Sequence, residues 1–173
     1  MRTRACLVVL VLACACRHVP DETRPVESPV RRSGALQFSY GTTQGGELNH
    51  TQTYGRVTLL LFATTFDLAS QVQASRVNEL FHRSRPRVNA GAVMLEPPKY
   101  ALLADTFRTS LQLDYPIALA DDETRNGRGP FGRVDRVPTL VVLDAAGREV
   151  WRKSGVVPVR EIEAAIRAAQ RDL

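Results

Sequence analysis

The residues best able to do chemistry in this chain are three cysteines, Cys6, Cys14 and Cys16, and all of them stand within the first sixteen positions. From Arg17 to Leu173 there is no sulfhydryl. Whatever folds after them cannot form a disulfide, hold a metal by thiolate or run thiol exchange on its own. Histidine offers little more. His50 and His82 lie far apart, with no acidic residue at ligand spacing beside either, and read as surface or helix-face residues rather than a metal site. Asp121-Asp122-Glu123 would attract a cation, but Arg125 and Arg128 follow at once and make the segment a self-compensated, solvated loop. No Ser-His-Asp set comes with nucleophile turn chemistry, and no glycine-rich loop is placed to cradle phosphate. No metal and no cofactor are expected.

One junction nevertheless has the form of a reactive site. Val57 to Phe62 is a β-branched and apolar run, too short and too β-rich for a helix, and predicts a buried strand. Thr64-Thr65 marks a turn, and Asp67 caps or enters the first turn of the helix that follows. A central strand feeding a helix N-terminus favours an anion. The residues standing there, however, are Phe66, Asp67, Leu68 and Ala69, a set without a nucleophile.

The elements that must position this junction follow from periodicity. Leu36-Gln37-Phe38-Ser39-Tyr40 alternates as an edge strand, and Gly45-Gly46 turns into a short strand at Glu47-Leu48-Asn49. A helix is predicted from Asp67 to about Arg83 with Ala69, Val72, Val77, Leu80 and Phe81 inward. A strand follows over Val88 to Leu95, with Gly91 a point of close approach. Pro97-Pro98 opens a second helix with Tyr100, Leu103, Ala104, Phe107 and Leu111 on one stripe. Tyr115 to Leu119 is extended, and 121–132 is a loop. Thr139 to Leu143 and Arg148 to Lys153 form a hairpin turned by Asp144-Ala145-Ala146-Gly147, carrying Trp151 as a packing residue. A last helix runs from about Val159 to Arg171 with Ile162, Ala165, Ile166 and Ala169 inward. The class is α/β, a mixed central sheet with helices on both faces and an N-terminal β extension. Its 138 residues from Leu36 suffice to bury a core without staples.

The N-terminus reads as an address. Met1-Arg2-Thr3-Arg4 is basic and Ala5 to Ala13 is small or apolar, too short to span a bilayer and right for a signal-peptide core. Val11-Leu12-Ala13-Cys14 resembles a bacterial lipobox. That resemblance implies cleavage before Cys14 and acylation of its thiol, which would hold the protein to a membrane by hydrophobic transfer. The expected divisions are 1–13 as signal peptide, 14–35 as lipidated tether and 36–173 as the folded domain. Ala13-Cys14-Ala15-Cys16 offers a second cut site, and with Ala15 rather than aspartate after Cys14 the resemblance to bacterial lipoproteins implies the outer membrane, facing the periplasm. The tether carries Pro20, Pro25 and Pro29 and reaches up to roughly 65 Å if extended. Losing Arg2 and Arg4 lowers the formal charge from +5 to +3. The remaining arginines (Arg83, Arg85 and Arg87; Arg125, Arg128, Arg133 and Arg136) come without a groove-reading helix or aromatic platform, so a solvated surface near anionic lipid is expected rather than nucleic acid.

Phe131-Gly132-Arg133-Val134-Asp135-Arg136-Val137-Pro138-Thr139-Leu140 resembles the aromatic-Gly-x-Val-x-x-Val-Pro-Thr segment of the thioredoxin superfamily, in particular its TlpA-type membrane-anchored proteins. Leu61-Phe62-Ala63-Thr64 and Asp144-x-x-Gly147 agree with it, and coverage is nearly all of 36–173. The resemblance implies that Pro138 is the cis-proline of the family and that Val137 pairs with an extended client peptide. Where the family carries Trp-Cys-x-x-Cys, this chain has Thr65-Phe66-Asp67-Leu68-Ala69, and the family's buried carboxylate position falls on Leu60. The implied protein is a redox-inactive thioredoxin-like lipoprotein of the bacterial envelope that binds an envelope protein or serves as a structural module. The alternative is a TlpA-type thiol-disulfide oxidoreductase using Cys16 or a partner's cysteine. Phe66 itself has two readings. Either it packs into the volume the sulfurs would fill and seals the site, or with Leu68, Val137 and Pro138 it forms a small apolar face.

Overall fold

The computed structural model describes residues 34–171 and the backbone of Glu27–Ser28. Cys14 and Cys16, the expected signal peptide and most of the expected tether lie outside the described residues. Glu27–Ser28 (β1) belongs to the segment read as tether, yet it pairs antiparallel with a strand of the central sheet. The other strands are Ser39–Gly41 (β2), Glu47–Asn49 (β3), Val57–Ala63 (β4), Val88–Met94 (β5), Ile117–Leu119 (β6), Thr139–Leu143 (β7) and Glu149–Ser154 (β8). The helices are His50–Thr53 (α1), Leu68–Ser84 (α2), Ala101–Ser110 (α3), Asp122–Arg125 (α4) and Val159–Arg171 (α5), with a 3-10 turn at Pro98–Tyr100 leading into α3.

The sheet order is β1-β8-β7-β4-β5-β6, and β2 and β3 form a separate hairpin. The pair β4–β5 is parallel, as is β5–β6, while β7 runs antiparallel to β4. Every residue of β4 is buried, as a central strand covered on both faces requires. Its alternation divides the interior. Val57, Leu59, Leu61 and Ala63 face a cluster built with Ala74, Val77 and Leu80 of α2, Ala104 and Phe107 of α3, and Ile162 and Ala165 of α5. Leu60 and Phe62 point the other way, into a cluster with Leu36, Phe38, Tyr40, Leu48, Phe131 and Val141. The three long helices thus share one face. The opposite face is covered by the β2–β3 hairpin and by short α4, whose Thr124 hydroxyl bonds the Tyr40 hydroxyl at 2.9 Å. Each Leu or Phe sealed in these layers contributes roughly 1.5–3 kcal/mol.

Several local expectations hold in detail. A Cβ on Gly91 would meet Leu48 Cδ2 at 2.7 Å, so the hairpin packs directly on that backbone. Gly147 turns the β7–β8 hairpin at φ 76°, and Trp151 is half-buried against the helical cluster. Others need correction. The inward face of α2 is Ser70, Gln73, Ala74, Val77 and Leu80, while Val72 is partly exposed. The cause is Gln73, fully buried because its Oε1 accepts the Val157 amide at 2.7 Å. The loop 121–132 contains α4, capped by Asp121 Oδ1 on the Thr124 amide at 2.7 Å.

Candidate functional site

The junction after β4 is tied down residue by residue, with one exception. The Ala63 carbonyl accepts the Leu95 amide at 3.0 Å, and the Thr64 amide reaches Ser70 Oγ at 3.4 Å. The Thr65 amide donates to a Glu96 carboxylate oxygen, and its carbonyl accepts Gln71 Nε2 at 3.3 Å. Asp67 is the N-cap of α2: its carboxylate accepts the amides of Ala69 at 3.3 Å and Ser70 at 2.8 Å, and the Ser70 hydroxyl at 2.7 Å. Asp67 thus meets two of the orphan donors of the helix start, the Ala69 and Ser70 amides, and Asp67 and Ala69 form the frame of the site. Phe66 is the exception. It is 72% exposed, as is Leu68, and its ring meets the Tyr100 ring edge-on at 6.2 Å. The reading in which Phe66 packs inward and seals the site is therefore corrected. The ring stands at the rim of a groove between the start of α2 and α3 rather than inside either core cluster.

Val137 and Pro138 lie at the same end of the sheet. The antiparallel pairing of β4 with β7 ends at Phe62 and Thr139, which places Pro138 at the close of β4. The Val137–Pro138 peptide is cis. The Pro138 carbonyl accepts the Gly155 amide at 2.8 Å, and Thr139 Oγ1 donates to the Arg136 carbonyl at 2.6 Å. Half-buried Val137 makes no backbone hydrogen bond among the described residues.

Behind Phe66 runs a groove of about 230 Å³ between the start of α2 and α3, lined by Thr65, Gln71, Leu103, Thr106 and Phe107 among others. Leu103 belongs to the apolar stripe expected for α3, but it is partly exposed because it borders this groove. Sequence reasoning missed Glu96. It is 8% exposed, and its second carboxylate oxygen, like Thr65 Oγ1, has no hydrogen-bond partner among the described residues. A signal existed: Glu96 directly follows an apolar strand, and β4 and β5 are parallel neighbours whose carboxyl ends lie side by side. Leu60, the position the resemblance assigns to a buried carboxylate, is wholly inside the core.

The other titratable candidates are occupied elsewhere. His50 Nδ1 lies 3.0 Å from the Phe38 carbonyl, and His82 Nε2 lies 2.6 Å from Asp114. Asp122 pairs with Arg125, and Glu123 with Arg128 at 2.9 Å. That guanidinium holds the Glu123 carboxyl below its ordinary range. No group of three or more potential metal ligands occurs among the described residues. Among them, too, no helix is long and apolar enough to cross a membrane. What the junction offers is an apolar projection, a Val137 backbone without a hydrogen bond among the described residues and a buried carboxylate.

No family model and no curated protein matches the sequence. Solved structures do match the shape. A DsbF homologue from Corynebacterium diphtheriae superposes with a TM-score of 0.71 at 13% identity, over 88% of this chain and 97% of that one. A thiol:disulfide interchange protein of the thioredoxin family from Chlorobium tepidum gives 0.65 at 19% identity, over 82% and 99%. A secreted Mycobacterium tuberculosis disulfide oxidoreductase homologous to E. coli DsbE gives 0.63 at 18%, over 77% and 96%. The chain has the thioredoxin-like fold that the Val-Pro-Thr segment implied.

Proposed function

We propose that this chain is a redox-inactive thioredoxin-like binding module with no cysteine in its folded domain, tethered through Cys14 in a bacterial envelope, that captures an extended segment of another envelope protein. In this reading residues 1–13 are removed and 14–35 carry the lipid and span the gap. The observation that carries the proposal is Phe66 standing 72% exposed beside Leu68, also 72% exposed, where the fold brings β4 and the Val137–Pro138 segment together. Large apolar side chains projecting together into water mark a contact surface. The Val137 backbone, without a hydrogen bond among the described residues, offers what strand addition needs: main-chain hydrogen bonds for affinity, with side chains on either side for selection. Dithiol exchange at this junction has no sulfur to run on, since no cysteine follows Cys16.

Capture from crosslinked membranes, with wild-type full-length protein and with Phe66→Asp as baits, tests the proposal. A partner recovered by the wild type and lost with the variant supports it; equal recovery removes this surface. Because Phe66 is mostly in water, the substitution is expected to move stability by less than about 0.5 kcal/mol. Unfolding therefore does not mimic the loss. The names of the structural neighbours favour a second reading, a thiol oxidoreductase borrowing Cys16 or a partner's thiol. Disulfide reduction by the wild type that vanishes in Cys16→Ser would put that reading first.

A further inference from the structure

At the other end of the sheet lies a cleft of about 380 Å³ between the close of α2, the start of β5 and the last turns of α5. Arg83, Arg85, Arg87 and Arg167 line it, with Glu163 the one carboxylate. All four guanidinium-bearing residues are exposed. Arg83 is engaged by Glu79 at 3.2 Å and Glu163 at 3.6 Å, and Arg85 lies over the Phe81 ring at 4.9 Å. Arg87 and Arg167 have no ion-pair partner among the described residues.

Helix ends explain part of this. Carbonyls at the close of α2 favour cations in its last turn, which suits Arg83 and the capping Arg85. Arg87 lies beyond the cap, and Arg167 precedes the last turn of α5, where the basic residue is Arg171. Neither is called for by a dipole. Four like charges around one concavity repel each other and are drawn together by a multivalent anion. Guanidinium forks bind carboxylate and phosphate oxygens alike in pairs, but a phosphate has the extra oxygens and charge to engage more than one fork at once.

The geometry points to this cleft as a binding site for a phosphate-bearing anion, with Arg87 and Arg167 as its principal ligands. The site is independent of the Phe66 surface. Val88 pairs with Val57 at the opening of β4, whereas Phe66 follows the close of that strand. The phosphate belongs either to a lipid headgroup or to a free phosphate compound, and two arms of one experiment separate these sources.

In the first arm, full-length protein is cosedimented with phosphatidylcholine vesicles with and without phosphatidylglycerol, at low and high salt. The apolar N-terminal run would partition into both vesicles, so the readout is the phosphatidylglycerol-dependent excess. In the second arm, inorganic pyrophosphate is titrated calorimetrically. Each arm compares the wild type with Arg87→Gln/Arg167→Gln and with Arg128→Gln/Arg133→Gln, which removes the same charge elsewhere. The cleft pair is expected to weaken binding by about fivefold per arginine, roughly 25-fold together, and the control pair by far less. That loss in the vesicle arm identifies a headgroup; in the pyrophosphate arm alone, a free phosphate. Equal losses from the two double variants, or binding in neither arm, would overturn the assignment.

Discussion

Phe66 is held out in water by its neighbours rather than by anything it bonds itself. Thr65 and Asp67 on either side are pinned by Glu96 and by the helix start, so the backbone presents the ring whatever its environment. The opposite situation holds at Gly91, which is legible as a strand glycine for the same reason it is intolerant: the Leu48 methyls occupy the place of its missing side chain. Gly91→Ala is expected to cost about 1–3 kcal/mol by overpacking, read as a lowered denaturation midpoint. A shift below about 0.5 kcal/mol would mean the β2–β3 hairpin is free to lift. Individual residues were the least legible scale in the sequence. Glu96 and Gln73 are polar residues made interior by a partner distant in the chain, a backbone amide in each case. No periodicity records a partner 31 or 84 positions away.

At the scale of elements, the start of α2 is where sequence and geometry agree most closely. Asp67 caps the helix with three hydrogen bonds. Asp67→Ala should lower stability by about 1 kcal/mol, within a range of about 0.5–2, and Asp67→Ser or Asp67→Asn should restore most of it in thermal melts. Failure of both rescues would assign the carboxylate a role other than capping. Strands β4, β5 and β7 and helices α2, α3 and α5 were readable because each carries one period over several turns or pleats. The short α1 and α4 were not. Four residues cannot display a helical period, and these two exist because Asn49 and Asp121 cap them. The pairing of β1 with β8 was equally hidden, since a two-residue strand in a charged, proline-bearing stretch has no pattern to show.

For the molecule as a whole, two interior tyrosines join the layers. Tyr40 lies beneath the hairpin, its hydroxyl beside Thr124, and burial pushes its phenol up to about 12. Tyr115 donates to the Ala74 carbonyl at 3.0 Å on the helical side, and burial raises its phenol further still. Both folded-state values lie above the unfolded one near 10. The folded protein thus holds these protons more tightly. Their contribution is complete below about pH 10 and falls as pH rises through that value, by about 1.4 kcal/mol per pH unit for each tyrosine. Denaturant midpoints should therefore be level through neutrality and drop steeply between about pH 10 and about pH 12. Tyr115→Phe should roughly halve the slope, and an unchanged slope would remove Tyr115 as a source.

Strand β4 sets a distance as well as a core. Its seven residues, at about 3.3 Å each, separate the arginine cleft from the aromatic projection by roughly 20 Å of rigid backbone. A ligand at one pole cannot screen or crowd out a ligand at the other. With both proposed ligands bound, the domain would act as a spacer that keeps two unlike bodies at a fixed standoff.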